Sequence, residues 1–383
     1  MLRFALLLLG LVFPLTATAN DPDKTKLAEI DTAAEAAIKR GDCPGAVILV
    51  VHGDAVVYRK AFGKRAVKPD EVAMTSDTVF DMASLTKPIA TGTSVMLLIE
   101  QGKLKPSDPV SKYWPEFAAN GKDKVTIEQL LLHTSGLIAD NDIQDYADGK
   151  EKAFERIAAL KLLTPAGTQF RYSDVGFIVL GQLVERVGGT PLDAFAKKHV
   201  FDPLKMTDTD FKPGESLKKR IAPTGLRDSK IILGEVHDPR AFKLGGVAGD
   251  AGMFSTADDL ARYCRMLLRG GELDGVRVLD AKTVKLFTEP HAVTVSTKGG
   301  ESKGARSFGW DVDTSYSAQR GTLFKKGEGY GHTGFTGTSV WIDPGTQTAV
   351  IVLTNRVHPN DKGNVTRLRR EVGTIVAAAV GKK

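Results

Sequence analysis

The 383-residue chain is predicted to be an α+β protein: an antiparallel sheet, flanked by helices from the two termini, packed beside a separate helical lobe. Three observations lead to this. Short β-branched runs occur near both ends of the chain, helical spacing of apolar residues fills the long middle, and tight-turn signatures join the terminal runs in pairs. Apolar residues make up 42% and charged residues 26%, so the chain can bury a substantial core.

The first residues have the pattern of an export signal. Arg3 supplies a positive start, Phe4 to Leu15 is an apolar run, and Ala17-Thr18-Ala19 is a small-residue cleavage site before Asn20. The run is too short for a bilayer, which takes about 20 apolar residues, and Pro14 interrupts it. No cysteine follows the site for a lipid anchor, and no later stretch is apolar enough to span. Residues 1–19 are therefore expected to be a signal peptide and 20–383 one catalytic domain. Within it the α/β lobe should take about 20–80 and 240–383, and the helical lobe about 81–239. The expected location is periplasmic or secreted, without stable membrane insertion.

Thr25 to Lys39 reads as an amphipathic helix ending at Gly41. Ala46 to Val51 and Ala55 to Ala61 read as strands joined through His52-Gly53-Asp54, a hairpin. After Thr78 the pattern turns helical. Thr126-Ile127-Glu128-Gln129 is a capping-box start, and the helix it opens should stop near Gly136. Val175, Ile178, Leu183 and Val187 keep helical spacing up to Gly188-Gly189, and Ser255 with Asp258 should open a further helix carrying Leu260, Tyr263 and Leu267. Strands are expected again at Phe308 to Val312, Thr338 to Ile342 and Thr346 to Leu353, the last two around an Asp343-Pro344-Gly345 turn. Asn364 to Val380 closes the chain as a helix, and Lys298 to Arg306, rich in Gly, Lys and Ser, reads as a mobile loop.

Composition removes several classes of function. The charge of +6 is scattered, and the densest clusters, Lys218-Lys219-Arg220 and Arg367-Leu368-Arg369-Arg370, read as solvated helix faces, so no nucleic-acid partner is expected. The seven histidines are dispersed without an H-E-x-x-H or H-x-H pairing, so neither a metal nor another cofactor is expected. Cys43 and Cys264 are favoured as two buried thiols, and their pairing stays open.

Three ordered elements carry chemistry. Ser84-Leu85-Thr86-Lys87 places an amine three residues after a hydroxyl. A hydroxyl becomes a nucleophile when a neighbouring base takes its proton. Alone this is a weak signal, since on the order of one such match arises by chance in a chain this long. A second match, Ser216-Leu217-Lys218-Lys219, is flanked by charges. Ser84 differs because it follows Phe80-Asp81-Met82-Ala83 and precedes the apolar Val95 to Ile99, at the start of a buried helix where the dipole favours developing negative charge. Tyr172-Ser173-Asp174 adds a phenol able to accept the serine proton and pass it on. Tyr146-Ala147-Asp148 has the same form in an acidic loop and reads as a decoy. His332-Thr333-Gly334, between Gly331 and Phe335, should start a strand whose glycine admits substrate to its edge. His133 and His237 read as loop-satisfying residues.

With these elements in order, the chain resembles the serine β-lactamase and D,D-peptidase superfamily, in its class C-like branch, over nearly all of its mature length. Leu131 to Leu137 and Gly245 to Ser255 support the resemblance. The Tyr-Ser-Asp and His-Thr-Gly-Phe-Thr-Gly-Thr variants, with Val236-His237-Asp238, are similar to the penicillin-binding protein 4B-like D-alanyl-D-alanine carboxypeptidases. The resemblance implies a β-lactamase/transpeptidase-like fold and a serine hydrolase that forms an acyl-enzyme. Ser84 would be acylated, Lys87 and Tyr172 would share proton transfer, and His332 and Thr333 would meet a substrate carboxylate. The backbone N–H groups of Ser84 and Phe335 would form an oxyanion hole.

Two positions depart from the family pattern. Asp174 replaces the usual Asn; it should hold Lys87 as the ammonium and shift the base role to Tyr172, and it could equally be the N-cap of the next helix. His332 replaces the usual Lys and, near its ordinary pKa of about 6.5, should be mostly neutral and titrate around pH 6 to 7. Both changes count against an efficient β-lactamase and suit a D,D-carboxypeptidase acting on peptides such as peptidoglycan stem peptides; the alternative is an esterase for small esters or a weak β-lactamase. The alternative from another class is a non-catalytic penicillin-binding sensor or cell-wall module. Pocket shape is expected to depend on loops such as Asp140 to Glu151 and Lys298 to Arg306.

Overall fold

Strand β1 (Gly45–His52) is buried along its whole length. Val47, Leu49 and Val51 face one core while Ala46, Ile48 and Val50 face another, as the two-residue period of a strand requires. Such a strand belongs in the middle of a covered sheet. The computed structural model, which describes residues 21–297 and 299–381, puts it there. The expected signal peptide, residues 1–19, lies outside the described residues.

The sheet continues with β2 (Ala55–Ala66), β3 (Val72–Ala73), β4 (His291–Thr297), β5 (Gly300–Arg306), β6 (Asp311–Asp313), β7 (Tyr330–Thr333), β8 (Ser339–Asp343) and β9 (Thr348–Thr354). Its order is β4-β5-β6-β7-β8-β9-β1-β2-β3, with antiparallel neighbours throughout. Early and late hairpins thus meet where β1 pairs with β9, Ile48 opposite Val352.

One face of the sheet is covered by the terminal helices α1 (Lys24–Lys39) and α6 (Thr366–Val380), through Leu27, Ile30, Leu368, Val372 and Val376. The other face packs on the larger core, which runs through α2 (Thr93–Glu100), α3 (Ile127–Leu131), α4 (Asp174–Gly188) and α5 (Ala257–Leu268). The Thr126 capping box forms in full, and α4 ends on Gly189 in the left-handed region (φ 74°), where glycine carries no Cβ penalty. Cys43 and Cys264 are both free, buried thiols.

Several local expectations are corrected. Residues 300–306 are strand β5, paired with β4 from His291↔Arg306 to Thr297↔Gly300; Lys298 lies outside the described residues. The polar composition of this stretch reflects side chains exposed near the sheet edge, where the backbone ladder alone holds the strand. The strand expected from Phe308 begins only at Asp311, because Ser307 and Trp310 close a turn and Gly309 (φ 81°) donates its N–H to Leu131 O at 2.9 Å. Helix α5 is capped by Thr256, whose hydroxyl accepts from Asp259 N, while Ser255 lies in a two-residue strand pairing with Phe80-Asp81. Helix α4 is capped by Ser173, so Asp174 is its first residue and not its N-cap. The His332-Thr333-Gly334 motif ends β7 instead of starting a strand.

Candidate active site

Ser84 sits where three chain segments converge. The strand pair Phe80↔Ser255 and Asp81↔Phe254 brings the 245–255 segment alongside, and Met82 N donates to Met253 O at 2.8 Å. Thr86 Oγ1 accepts from Met253 N at 3.1 Å. Ala83 is held at φ 46°, a left-handed conformation that costs an L-residue about 1–2 kcal/mol. The buried carboxylate of Asp81 stabilises this turn by accepting from Ala83 N (2.8 Å) and from His237 N (2.6 Å). Ser84 itself stays partly exposed in a 3-10 turn, which leads through a wide π turn (Lys87–Gly92) into α2. The helix start expected from sequence is thus two irregular turns.

Lys87 Nζ lies 3.2 Å from Ser84 Oγ, donates to Asp250 O at 2.9 Å, and forms an ion pair with Asp174 Oδ1 at 2.6 Å. Burial works against its charge, but the carboxylate of Asp174 holds the ammonium well above its ordinary 10.5. Lys87 is therefore a proton donor and an electrostatic anchor at rest. The Tyr172 ring centroid lies 5.2 Å from Lys87 Nζ. Burial raises the phenol's pKa; the Lys87 charge and polar contacts with Ser84 and Lys87 pull it back without cancelling the rise. Hydroxyl, amine and phenol are thus brought together, with the phenol neutral. Asp250, fully buried, is pushed well up by burial and by Asp238.

The third motif docks on the nucleophile's strand. Thr336 Oγ1 donates to Asp81 O (2.7 Å) and Thr338 Oγ1 to Met82 O (3.0 Å). A Cβ on Gly334 would overlap Thr338 Oγ1 and the Met82 carbonyl, so this glycine lets the motif pack closely on the turn that carries Ser84. The Phe335 N–H has no acceptor within the protein among the described residues, and its side chain is exposed beside His237. His332 is 4% exposed, with Nδ1 2.9 Å from Thr333 O. Burial, then Arg306 and Lys87, lower its pKa well below 6.5. The expected titration around neutrality is therefore corrected: His332 is neutral throughout that range.

These residues line a cavity of about 400 Å³ shared by Ser84, Tyr172, His332, Thr333, Gly334 and Phe335. Its remaining walls are Asp311, Tyr316, Arg356, residues 363–366 and Arg369. Of the loops expected to shape the pocket, the described residues 140–151 and 299–306 are not among its walls. Nor is Arg369 on a solvated face as expected: it is 9% exposed, and Nη2 donates to Gly334 O (3.0 Å) and Thr338 O (2.8 Å). Burial and neighbouring Arg356 push its pKa down to about 9, which leaves it charged at neutral pH. Sequence reading missed Arg356, Arg369, Asp311 and Tyr316 because helix periodicity and loop position say nothing of a cavity assembled across the sheet.

His133 satisfies a loop N–H, as expected, and also meets the site. It is buried, its Nδ1 accepts Ser173 N at 3.0 Å, and its ring stacks on Tyr172 with centroids 4.5 Å apart. It thus braces the Tyr172-Ser173 segment. Tyr146 bonds Asn141 Oδ1 (2.7 Å) and is not among the cavity walls, and Ser216 is exposed next to the Glu215–Lys218 ion pair. Among the described residues no cluster of His, Cys, Asp and Glu could hold a metal ion, and no helix is long and apolar enough to cross a membrane.

The family described as Beta-lactamase matches residues 30–374. The chain is 32% identical over 381 aligned residues to the "N-acetylmuramyl-L-alanine amidase" of Bacillus subtilis (strain 168), covering 89% of this chain and 84% of that protein. It is 34% identical over 354 residues to the "Putative D-alanyl-D-alanine carboxypeptidase" of Escherichia coli (strain K12), covering 82% and 79%. Among solved structures, "EstCE1, a hydrolase with promiscuous acyltransferase activity" superposes with a TM-score of 0.74 at 25% identity, covering 92% of this chain and 99% of that one. A penicillin-binding protein homologue from Caulobacter crescentus superposes at 0.75 with 21% identity, covering 95% and 100%, which speaks for the fold alone.

Proposed function

The chain belongs to the Beta-lactamase family and is a serine hydrolase; from that premise we propose that it is a D-alanyl-D-alanine-type carboxypeptidase with Ser84 as nucleophile. The observation that carries this is the meeting of Ser84 and Tyr172 in a cavity wall that also holds buried, charged Arg369, with the buried Lys87 amine 3.2 Å behind Ser84 Oγ. In this reading Ser84 Oγ bonds to the scissile carbonyl carbon while its proton passes to the Tyr172 oxygen. Tyr172 gives its own proton to the departing nitrogen as the C–N bond breaks. A neutral phenol can do this because acceptance and donation are coupled, and the Lys87 ammonium stabilises phenolate character at the midpoint. Water then retraces the path to release the acyl group.

The substrate's terminal carboxylate is assigned to Thr333 and to the charge of Arg369 and Arg356, since neutral His332 contributes a contact but no charge. The two curated relatives are named for amide bonds of N-acetylmuramyl-L-alanine and D-alanyl-D-alanine, which favours a peptide or amide substrate. Export directed by residues 1–19 would bring the enzyme to peptidoglycan stem peptides. Small-ester hydrolysis is the second reading, favoured by Tyr316 and Phe335, 43% and 55% exposed in the cavity wall. Rates measured in parallel on a D-Ala-D-Ala peptide, a p-nitrophenyl ester and nitrocefin test the choice. The carboxypeptidase reading expects the peptide to have the highest kcat/KM; ester turnover with an inert peptide would overturn it in favour of the esterase.

A further inference from the structure

Among the described residues, Tyr316 is an exposed aromatic that touches the proposed proton relay itself. Its ring stacks on Tyr172 with centroids 5.4 Å apart and planes 27° from parallel, and meets Phe170 edge-on at 6.2 Å. On Tyr172 the same geometry is repeated by His133, which continues to Phe177 at 4.9 Å. His133, Phe170 and Phe177 are buried, Tyr172 is partly exposed, and Tyr316 is 43% exposed; Tyr172 and Tyr316 both form part of the cavity wall that includes Ser84.

The loop presenting Tyr316 is held by buried polar groups. Asp311, 1% exposed at the end of the sheet, accepts from the hydroxyls of Thr314 and Ser317 and from Arg306 Nη1, the last at 3.2 Å. Thr314 N in turn donates to Ser317 Oγ (3.0 Å), and Tyr316 N donates to Thr314 Oγ1 (3.1 Å). A fully buried Arg–Asp pair is expensive to desolvate and is retained where it fixes a geometry; here it fixes the turn that carries Tyr316. A half-exposed ring on a rigid turn loses little conformational freedom when it meets a substrate, so its contact energy is available for selection.

We propose that Tyr316 is a specificity-determining residue for the departing group: an aromatic shelf that favours substrates whose leaving group presents an aryl ring or another apolar surface beside the scissile bond. This rests on the reading that Tyr172 hands its proton to that group. The atom receiving the proton must lie next to the Tyr172 hydroxyl, and a ring stacked on Tyr172 therefore borders the departing group. For a peptide the contact would be the methyl of a departing D-alanine; for an ester, the alcohol portion.

The test uses two esters with the same acetyl group, phenyl acetate and trifluoroethyl acetate, so that intrinsic reactivity cancels when wild type and variants are compared. Tyr316→Ala should raise KM for phenyl acetate about 3- to 10-fold relative to trifluoroethyl acetate, the range of one aromatic contact. Tyr316→Phe should keep the wild-type ratio. An unchanged ratio in Tyr316→Ala, with Ser84 still labelled by a fluorophosphonate, would overturn the shelf and leave acylation at Ser84 standing. A wild-type enzyme that turns over both esters without labelling at Ser84 would overturn the acylation reading, and this proposal with it.

Discussion

Replacing Asp174 by Asn tests how the site controls its protons. The carboxylate lies 2.6 Å from Lys87 Nζ, which is fully buried, while Asp174 keeps 22% of its side chain exposed. At an effective dielectric of about 20, unit charges at that separation attract by roughly 6 kcal/mol. About half is a reasonable net loss, because Asp174 is partly solvated and Asp250 and Asp238 remain nearby, which gives roughly 3 kcal/mol, at the lower end of the cost of breaking a buried pair. The variant should unfold roughly 5 °C below wild type. The sign with pH follows from the direction of the Lys87 shift, which is upward from 10.5. Its contribution is complete below that ordinary value and is lost only as pH rises through the folded one, so the Tm deficit should be flat over about pH 6 to 9. With its counter-charge gone, burial dominates at Lys87 and lowers its pKa. The amine can then act as a base, and kcat/KM for a p-nitrophenyl ester should gain a rising limb with pH that wild type lacks. Differential scanning calorimetry and a pH–rate profile read the two effects. A variant with wild-type Tm and an unaltered profile would refute the role given to this ion pair.

Two further outcomes follow from the same geometry. His133 and His332 are both buried and held well below 6.5, so the unfolded chain takes up protons there that the fold refuses. Stability from these groups is complete above about pH 6.5 and falls below it by about 1.4 kcal/mol per pH unit for each histidine; in acid-range thermal unfolding the double variant His133→Gln/His332→Gln should show a shallower limb, and an equally steep one would contradict their neutrality. Gly334→Ala forces a Cβ against Thr338 and the Met82 carbonyl, which should displace the Phe335 N–H and lower the acylation rate by about 10²–10³ with KM little changed. A near-wild-type rate would show that this N–H is not an oxyanion donor.

How far the sequence carried this reading depended on how local each signal was. The Ser84–Lys87 spacing, the Thr126 capping box and the terminal hairpins depend on neighbours a few residues away, and each is found where periodicity and turn chemistry put it. Asp174 beside Lys87 followed from the family resemblance, in which it takes the place of the second motif's usual Asn. What failed was set by distant segments. His332 was expected to titrate near neutrality because nothing in its own stretch announces burial or the approach of Arg306 from β5. Arg369 belongs to a basic run that looks solvated until α6 packs across the sheet and turns that one arginine inward. The Gly-, Lys- and Ser-rich stretch before Arg306 lacks the β-branched residues of a core strand, and only pairing with β4 makes it one.

The central claim, acylation at Ser84 through a Lys87–Tyr172 relay, is tested most directly by intact-protein and peptide mass spectrometry after exposure to penicillin or a fluorophosphonate. Wild type should gain one adduct, mapped to the peptide containing Ser84; Ser84→Ala should gain none, and Tyr172→Phe should label far more slowly. An adduct that persists in Ser84→Ala, or maps to another residue, would contradict it.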